Sequence, residues 1–544
     1  ELPVHPLHGG LSAEEQDEAV GPSAARRVVL ATNIAETSLT LDGVSDVIDG
    51  GQHKVLRYDA ARGFDRLSTE RIGRDSAEQR AGRAGRTGPG RALRLWDPRE
   101  TLAPLREPEI ARVDLSGPLL ELIAWGGDPR SFEWLEAPPA EAVEAALTLL
   151  ERLGALAGRR LTAAGEAMRR LPLPPRLARV LVAAGGAPAA AAACALLAER
   201  PPLPPANVAS ASDVLTLLDR RGDWPPRARA EAEALADQAR RAQLGPAEWS
   251  GPPDDVLRRA LLAGFPDRVA RRREPGSPRL LLASGAGAAL ARESGVREGE
   301  WLVALDVSAG TGPEALVRLA SRVEREWLAP THRERVCWFD EATRTVKAVE
   351  RERLGALVLV ERPAAPEPAE AEAALAAALA SRGWGEAGEV VVRRLRFAGL
   401  EVDLDEVRRQ ACMGRVALPE IDLEAWLAPA VRRDLDRLAP RALPVPSGRR
   451  AALDYREDGT VMASVKLQEL FGLADTPRLG PRQEPVVFSL LAPSGRPVQT
   501  TRDLRSFWAN TYPQVRKELR GRYPRHPWPE DPWTAEPTAR AKRR

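Results

Sequence analysis

The stretch "SAEQRAGRAGRTGPG", residues 76–90, carries the densest chemistry in the chain, with Gln79, Arg83 and Arg86 at i, i+4 and i+7. On an α-helix that spacing sets three side chains on one face over two turns. Two guanidiniums and an amide on a rigid face suit a charge-dispersed phosphoryl group and its attacking water. Asp75 and Glu78 read as a capping box that starts the helix. Gly82 and Gly85 fall off the face and leave room for close backbone packing. Arg80 lies one position off the face and is not expected to share the chemistry. The competing reading is an Arg-rich surface helix, because Ala, Arg, Pro and Gly dominate the chain and no single Arg is informative. The whole string "QRAGRAGRTGPG" outweighs that reading.

The second chemical stretch is "LATNIAETSLTLDG", residues 30–43. Thr32 and Asn33 follow a short apolar strand, and Asn33 with Glu36 reads as a second capping box. A helix start at the carboxyl end of a parallel strand is a place for phosphate, and Thr and Asn there could hold a nucleic-acid backbone. Plain helix capping is the alternative. Other candidates fail on context. "SGAGAALARESG" has a dinucleotide-like glycine pattern but no strand–helix–strand setting, so it reads as a turn. "FDEATRT" suits a hairpin turn better than a carboxylate metal box. His5 and His8 have no third ligand nearby, so no metal site is expected. Trp301, Trp338, Trp384, Trp426 and Trp508 are expected in cores.

These segments need a scaffold. At 544 residues the chain exceeds one core,. "RRVVLA" and "VSDVID" read as buried strands of a parallel sheet with a helix between them. Residues 54–72 read as a long β-hairpin around Asp59–Gly63. "SAEE" reads as a capping box opening a helix at 13–20. From 106 helical periodicity takes over, with a boundary at "LPLPP" near 175. Residues 266–360 alternate as a small β-barrel, and 361–383 read as a linker entering a helix. "RRAALDYREDGTVMASVKLQELFGL" reads as strand, turn, strand and helix, and the tail "GRYPRHPWPEDPW" as irregular. A net charge of +2 argues against a polyanion-coating protein but not against a local basic groove,. Three Cys without metal or disulfide spacing fit a cytoplasmic location,.

Together the motifs resemble the superfamily 2 helicases of the DEAH-box class: "LATNIAETSLTLDGV" is similar to their motif V and "QRAGRAGRTGPG" to motif VI. "SVKLQELFGLADTPRLG" and "LLAPSGRPVQTTRDLRSFWANTYPQVRKELRGRYPRHPWPEDPW" resemble the C-terminal region of the bacterial HrpB type. The resemblance implies an ATP-dependent RNA helicase, multidomain in fold. Residues 1–105 would be an α/β second RecA-like lobe, 106–175 a winged helix and 176–265 a helical ratchet. An oligonucleotide-binding (OB-like) β-barrel would span 266–360, and an α+β C-terminal region 361–544. It implies that Gln79 positions water, Arg83 and Arg86 contact the γ-phosphate, and Asp42 and Gly43 lie near the nucleotide. Thr32 and Asn33 would hold the RNA backbone, and the hairpin would wedge at a strand junction.

The departures are specific. The sequence has no "GxxxxGK[ST]" loop and no "DEAH" box, and it starts at Glu1. It therefore reads as the C-terminal portion of a helicase, or as a chain completed by another polypeptide, inactive alone. The phosphates of ATP and the Mg²⁺ ligands would belong to that other lobe. Gly50–His53 lacks the aromatic many relatives place there, so loose base preference is expected. A non-enzymatic RNA-binding module is the alternative function, and DNA in place of RNA the alternative strand.

Overall fold

The structure is a computed structural model that describes all residues except 1, 24, 38–42, 61–62, 87, 200–202, 206–207, 310–313 and 539–544. The chain divides into two compact units, Glu1–Glu334 with Glu352–Val360, and Arg335–Arg351 with Glu361–Arg544.

The first unit opens with β1 (Val4–Leu7), α1 (Ala13–Val20), β2 (Val28–Ala31), α2 (Ile34–Thr37) and β3 (Asp46–Asp49). The hairpin β4 (Gln52–Asp59) and β5 (Phe64–Arg71), then α3 (Arg74–Gly82) and β6 (Arg91–Arg94), complete this part. Ser12 and Glu15 close the expected capping box on α1, with bonds of 3.2 and 2.8 Å. The parallel pairing is present but not where the sequence suggests. β1 pairs with β2 and β3 with β6, in two separate sheets, so β2 and β3 are not neighbours.

Two expectations about α3 need correction. Its cap is Gly73, with no side-chain hydrogen bond, so Asp75 sits inside the first turn rather than capping it. An acid there still complements the positive end of the helix. Glycine is required at 73, because a Cβ would lie 2.3 Å from Asp75 Oδ1 and 2.9 Å from the Arg106 amide. The helix also stops at Gly82 with Arg83 as its C-cap, and Arg86 lies beyond it at a bend. Two turns of helix through 79–86 therefore do not form, and a run of two glycines in four residues is the physical reason. Nothing lies within 4 Å of a Cβ placed on Gly82, so close packing does not explain that glycine. The tight position is Gly90, where a Cβ would meet the Ala84 carbonyl oxygen at 2.0 Å.

Helices follow: α4 (Ser116–Ala124), α5 (Ala140–Arg152), the short pair β7 (Leu156–Ala157) and β8 (Arg160–Leu161), and α6 (Ala163–Arg169). Then come α7 (Pro175–Ala183), α8 (Pro188–Ala198), α9 (Asp213–Asp219), α10 (Pro226–Arg241) and α11 (Pro253–Gly264). Proline opens α7, α8, α10 and α11, where its missing N–H costs no helical bond,. Leu119, Leu150, Leu181, Leu235 and Leu261 belong to one continuous buried core.

The barrel is smaller than expected. It closes through β9 (Val269–Arg272), β10 (Arg279–Leu282), β11 (Gly287–Leu290), β12 (Trp301–Ala309) and β13 (Ala315–Val323). β9 pairs with both β10 and β12, so no edge is left for a further strand,. Strands His332–Asp340, Thr345–Leu354 and Leu357–Ala364 form a separate three-stranded sheet.

In the second unit the expected linker is short. A strand runs to Ala364, and Glu367 with Glu370 caps a helix from Pro368. The expected strand–turn–strand is Arg450–Tyr455, a turn with Gly459 at φ +82°, and Val461–Lys466. A single 3-10 turn, Leu467–Leu470, follows in place of a helix. The Pro-rich tail has no strand but buries Trp528 in this unit's core. Trp301 and Trp508 are buried, whereas Trp338 and Trp426 are exposed, so not all the tryptophans are core. Among the described residues no helix is long and apolar enough to cross a membrane.

Candidate nucleotide and nucleic-acid interface

The helix α3 is fixed by Arg80, the arginine set aside as outside the chemistry. Its Nε donates to Glu36 Oε2 at 3.0 Å, and one terminal nitrogen donates to Asp49 Oδ1 at 2.9 Å and to the Gln52 carbonyl at 3.2 Å. The side chains of Glu36 and Asp49 are 3% and 5% exposed. Asp49 also accepts from the Gly51 amide at 2.9 Å. Arg106 lies 3.5 Å from Glu36 Oε1 and 3.8 Å from Asp75 Oδ2. One buried guanidinium thus ties α3 to α2, to the end of β3 and to the start of the hairpin. Glu36 serves this pair rather than a capping box at Asn33. His53 lies near the cluster, and burial together with the Arg80 charge pulls its imidazole below the usual value,.

The three residues singled out by spacing take different positions. Gln79 is exposed on α3. Arg83, half-buried at the helix end, donates from Nε to the Glu36 backbone carbonyl at 3.0 Å, and a second nitrogen bonds the same oxygen. Arg86 is exposed beyond the helix and, among the described residues, has no hydrogen-bond or ion-pair partner. The structure therefore brings Arg83 against the motif V stretch and leaves Gln79 and Arg86 open to solvent. Thr32 and Asn33 are exposed at the carboxyl end of β2, where the Thr32 amide donates to the Leu7 carbonyl at 3.1 Å. Gly43 is exposed at φ +77°. Asp42 lies outside the described residues.

The hairpin tip, expected to stand at a strand junction, is packed away. Phe64 is 1% exposed inside the barrel cluster with Leu280, Leu302 and Val317. Arg268 donates to the Gly63 carbonyl at 3.1 and 2.8 Å. Gly63 holds φ +74°, and a Cβ there would fall 2.7 Å from Asp267 Oδ2. Asp267 in turn takes a forked pair from Arg176 at 2.6 and 2.8 Å. Burial, and then the neighbouring Arg176 charge, pull the Arg268 guanidinium down to about 10. This cluster was not legible as a motif: its residues are 90 to 200 positions apart.

Among the described residues no three His, Cys, Asp or Glu side chains are grouped to hold a metal. Mg²⁺ therefore has no fit here, and no step is assigned to it. The charge the chain can offer a phosphate is that of its guanidiniums.

Comparison with known proteins agrees with this geometry. Residues 1–88 match the family described as "Helicase conserved C-terminal domain", and residues 400–532 match "ATP-dependent helicase C-terminal". The chain is 36% identical to the ATP-dependent RNA helicase HrpB of Escherichia coli (strain K12), over 99% of this chain and 70% of that protein. It is 38% identical to the ATP-dependent RNA helicase HrpA of the same organism, over 33% of this chain and 15% of that protein. Two crystal structures of E. coli HrpB align with TM-scores of 0.58 and 0.59 at 34% and 33% identity. They cover 99% and 97% of this chain, and the chain spans 70% of each.

Proposed function

The chain belongs to the HrpB family of ATP-dependent RNA helicases, and from that premise we propose that it is the phosphate-sensing and strand-holding part of such an enzyme. Residues 1–105 act as the second RecA-like lobe. Residues 106–175 act as a winged helix, 176–265 as a ratchet and the barrel as an OB-like strand holder. Gln79 positions the attacking water, and Arg83 and Arg86 stabilise the γ-phosphoryl group in flight. Asp42 and Gly43 lie at the nucleotide, and Thr32 and Asn33 hold the RNA backbone.

The observation that carries this reading is the contrast along one short segment. Arg80 is locked between two buried carboxylates, while Gln79 and Arg86 are presented without partners. A fixed guanidinium holds the segment still, and free ones are available to charge that develops in a transition state. Arg83 bonds the Glu36 carbonyl, and an arriving γ-phosphate would compete for it with full negative charge,. Open space around Gly82 would let a phosphate approach the backbone.

The sequence has no phosphate-binding loop, so arginines alone must meet ATP,. The chain by itself is expected to hydrolyse no ATP, with or without single-stranded RNA. Joined to a RecA-like lobe that carries the loop, it is expected to show RNA-stimulated hydrolysis. RNA-stimulated hydrolysis by the chain alone, or none in the joined protein, would sink this reading.

A further inference from the structure

We propose that a cavity of about 410 Å³ between α5, α7, α11 and the turn at Arg325–Trp327 is a second nucleotide-recognition pocket. It would take one nucleotide unit, with its phosphate on Arg152 and Arg259 and its base against Trp249 or the Arg259 guanidinium plane. The proposal rests on the RNA-binding reading above and concerns a place separate from the motif V and VI segments.

Five side chains carry it: Arg152, Arg179, Arg259, Trp249 and Trp327 line the cavity. Elsewhere in this chain arginines are typically matched to carboxylates, yet Arg152 and Arg259 have no carboxylate within ion-pair distance among the described residues. Glu326 lines the same cavity without pairing to either. Arg259 stacks on Trp327 at 4.8 Å from the ring centroid, with Arg258 at 4.9 Å. That stacking holds the Arg259 plane in place, and a guanidinium plane or an indole is what an unstacked base packs against. Arg179 pairs with Glu248, and its Nε is buried without an acceptor. A buried donor left open is rare in folded proteins and is met by a ligand or water where one can enter.

The walls are preformed. The Glu248 amide donates to the Ala183 carbonyl at 3.0 Å, and the neighbouring loop lies so close to Gly185 that a Cβ there would be 2.5 Å from the Ala247 amide. The Trp327 amide donates to the Glu324 carbonyl at 3.0 Å. The volume falls in the range of small-ligand sites, about 300–1,000 Å³,. Three guanidiniums against Glu326 and Glu248 favour an anion, and the two indoles favour one bearing a planar ring.

The test is photo-crosslinking of the whole chain to single-stranded RNA containing 5-iodouridine, with mapping by mass spectrometry, beside affinity titrations over a salt series. Crosslinks at Trp249 or Trp327 are expected. Arg152→Gln with Arg259→Gln should weaken RNA binding about tenfold and flatten the slope of log affinity against log salt by about 1.4, at roughly 0.7 per lost phosphate contact. Arg152→Lys with Arg259→Lys should keep the salt slope and lose the crosslink, which separates charge from stacking and controls for folding. Adenosine monophosphate that competes in the millimolar range assigns the pocket to free nucleotides, and no competition assigns it to a strand. Crosslinks confined to other residues with unchanged Gln-variant affinity would overturn the proposal. So would equal competition by poly-glutamate. If the chain binds no RNA at all, the functional reading fails first, and the two failures are distinct.

Discussion

Replacing Arg80 by Met should loosen the motif VI segment more than any change at Gln79 or Arg86. The substitution keeps most of the side-chain length and removes the charge between Glu36 and Asp49. Both carboxylates are almost fully buried, and Glu36 Oε1 and Asp49 Oδ2 already lack hydrogen bonds. Breaking a buried pair by removing one partner costs about 3–5 kcal/mol. A ceiling follows from protonation: neutralising one glutamate at pH 7 from its ordinary 4.3 costs about 3.7 kcal/mol. Arg106, 3.5 Å from Glu36, offsets part of the loss. The expected deficit is about 3 kcal/mol, a rise of more than a hundredfold in local opening. Hydrogen exchange of peptides covering 46–59 and 74–82 reads it directly. The sign with pH is also fixed. An unpaired buried carboxylate binds a proton more readily folded than unfolded, so the deficit should shrink between pH 7 and pH 5. Glu36→Gln with Asp49→Asn in the Arg80→Met background should restore protection in part. A deficit under about 1 kcal/mol, or one that is the same at both pH values, would refute the buried-pair argument.

Further outcomes follow from the same contacts. Phe64→Ala should cost about 3–5 kcal/mol and release the hairpin tip with the barrel strand Trp301–Ala309, seen as new protease cleavage near 60–66,; an unchanged cleavage pattern would count against a docked tip. His53, held below its usual value by burial and Arg80, should titrate below about 6.5 in NMR, and its contribution to stability should be lost as pH falls through that lower value,. A His53 resonance titrating above 6.5 would reverse the assignment. Single-stranded RNA should bind the isolated chain weakly and lose affinity steeply with salt, and a salt-independent titration would contradict backbone-phosphate contacts.

Much of the scaffold was readable because it rests on local signals. The Ser12–Glu15 box, the hairpin and the turn at Asp458–Gly459 need only neighbouring residues. The sequence misled where a local pattern met a long-range partner. Glu36 looked like a capping residue, but a buried arginine 44 positions away claims it. Arg86 looked helical by spacing, but the glycines end α3 at Gly82. The last three strands looked like barrel strands, yet the barrel had already closed through β9. The docking of Phe64 and Gly63 by Arg268 joins residues some 200 positions apart, which no periodicity can signal.

The most direct measurement is the steady-state ATPase of Arg86→Ala at saturating RNA, beside ATP affinity, in the protein that joins this chain to a phosphate-loop lobe. A contact made mainly in the transition state lowers the maximal rate and leaves ground-state binding nearly unchanged. The expected loss is on the order of a thousandfold or more in rate, with ATP affinity little altered. Near-normal turnover by Arg86→Ala would contradict the account, as would an Arg80→Met protein that stays protected in exchange yet shows the same catalytic loss.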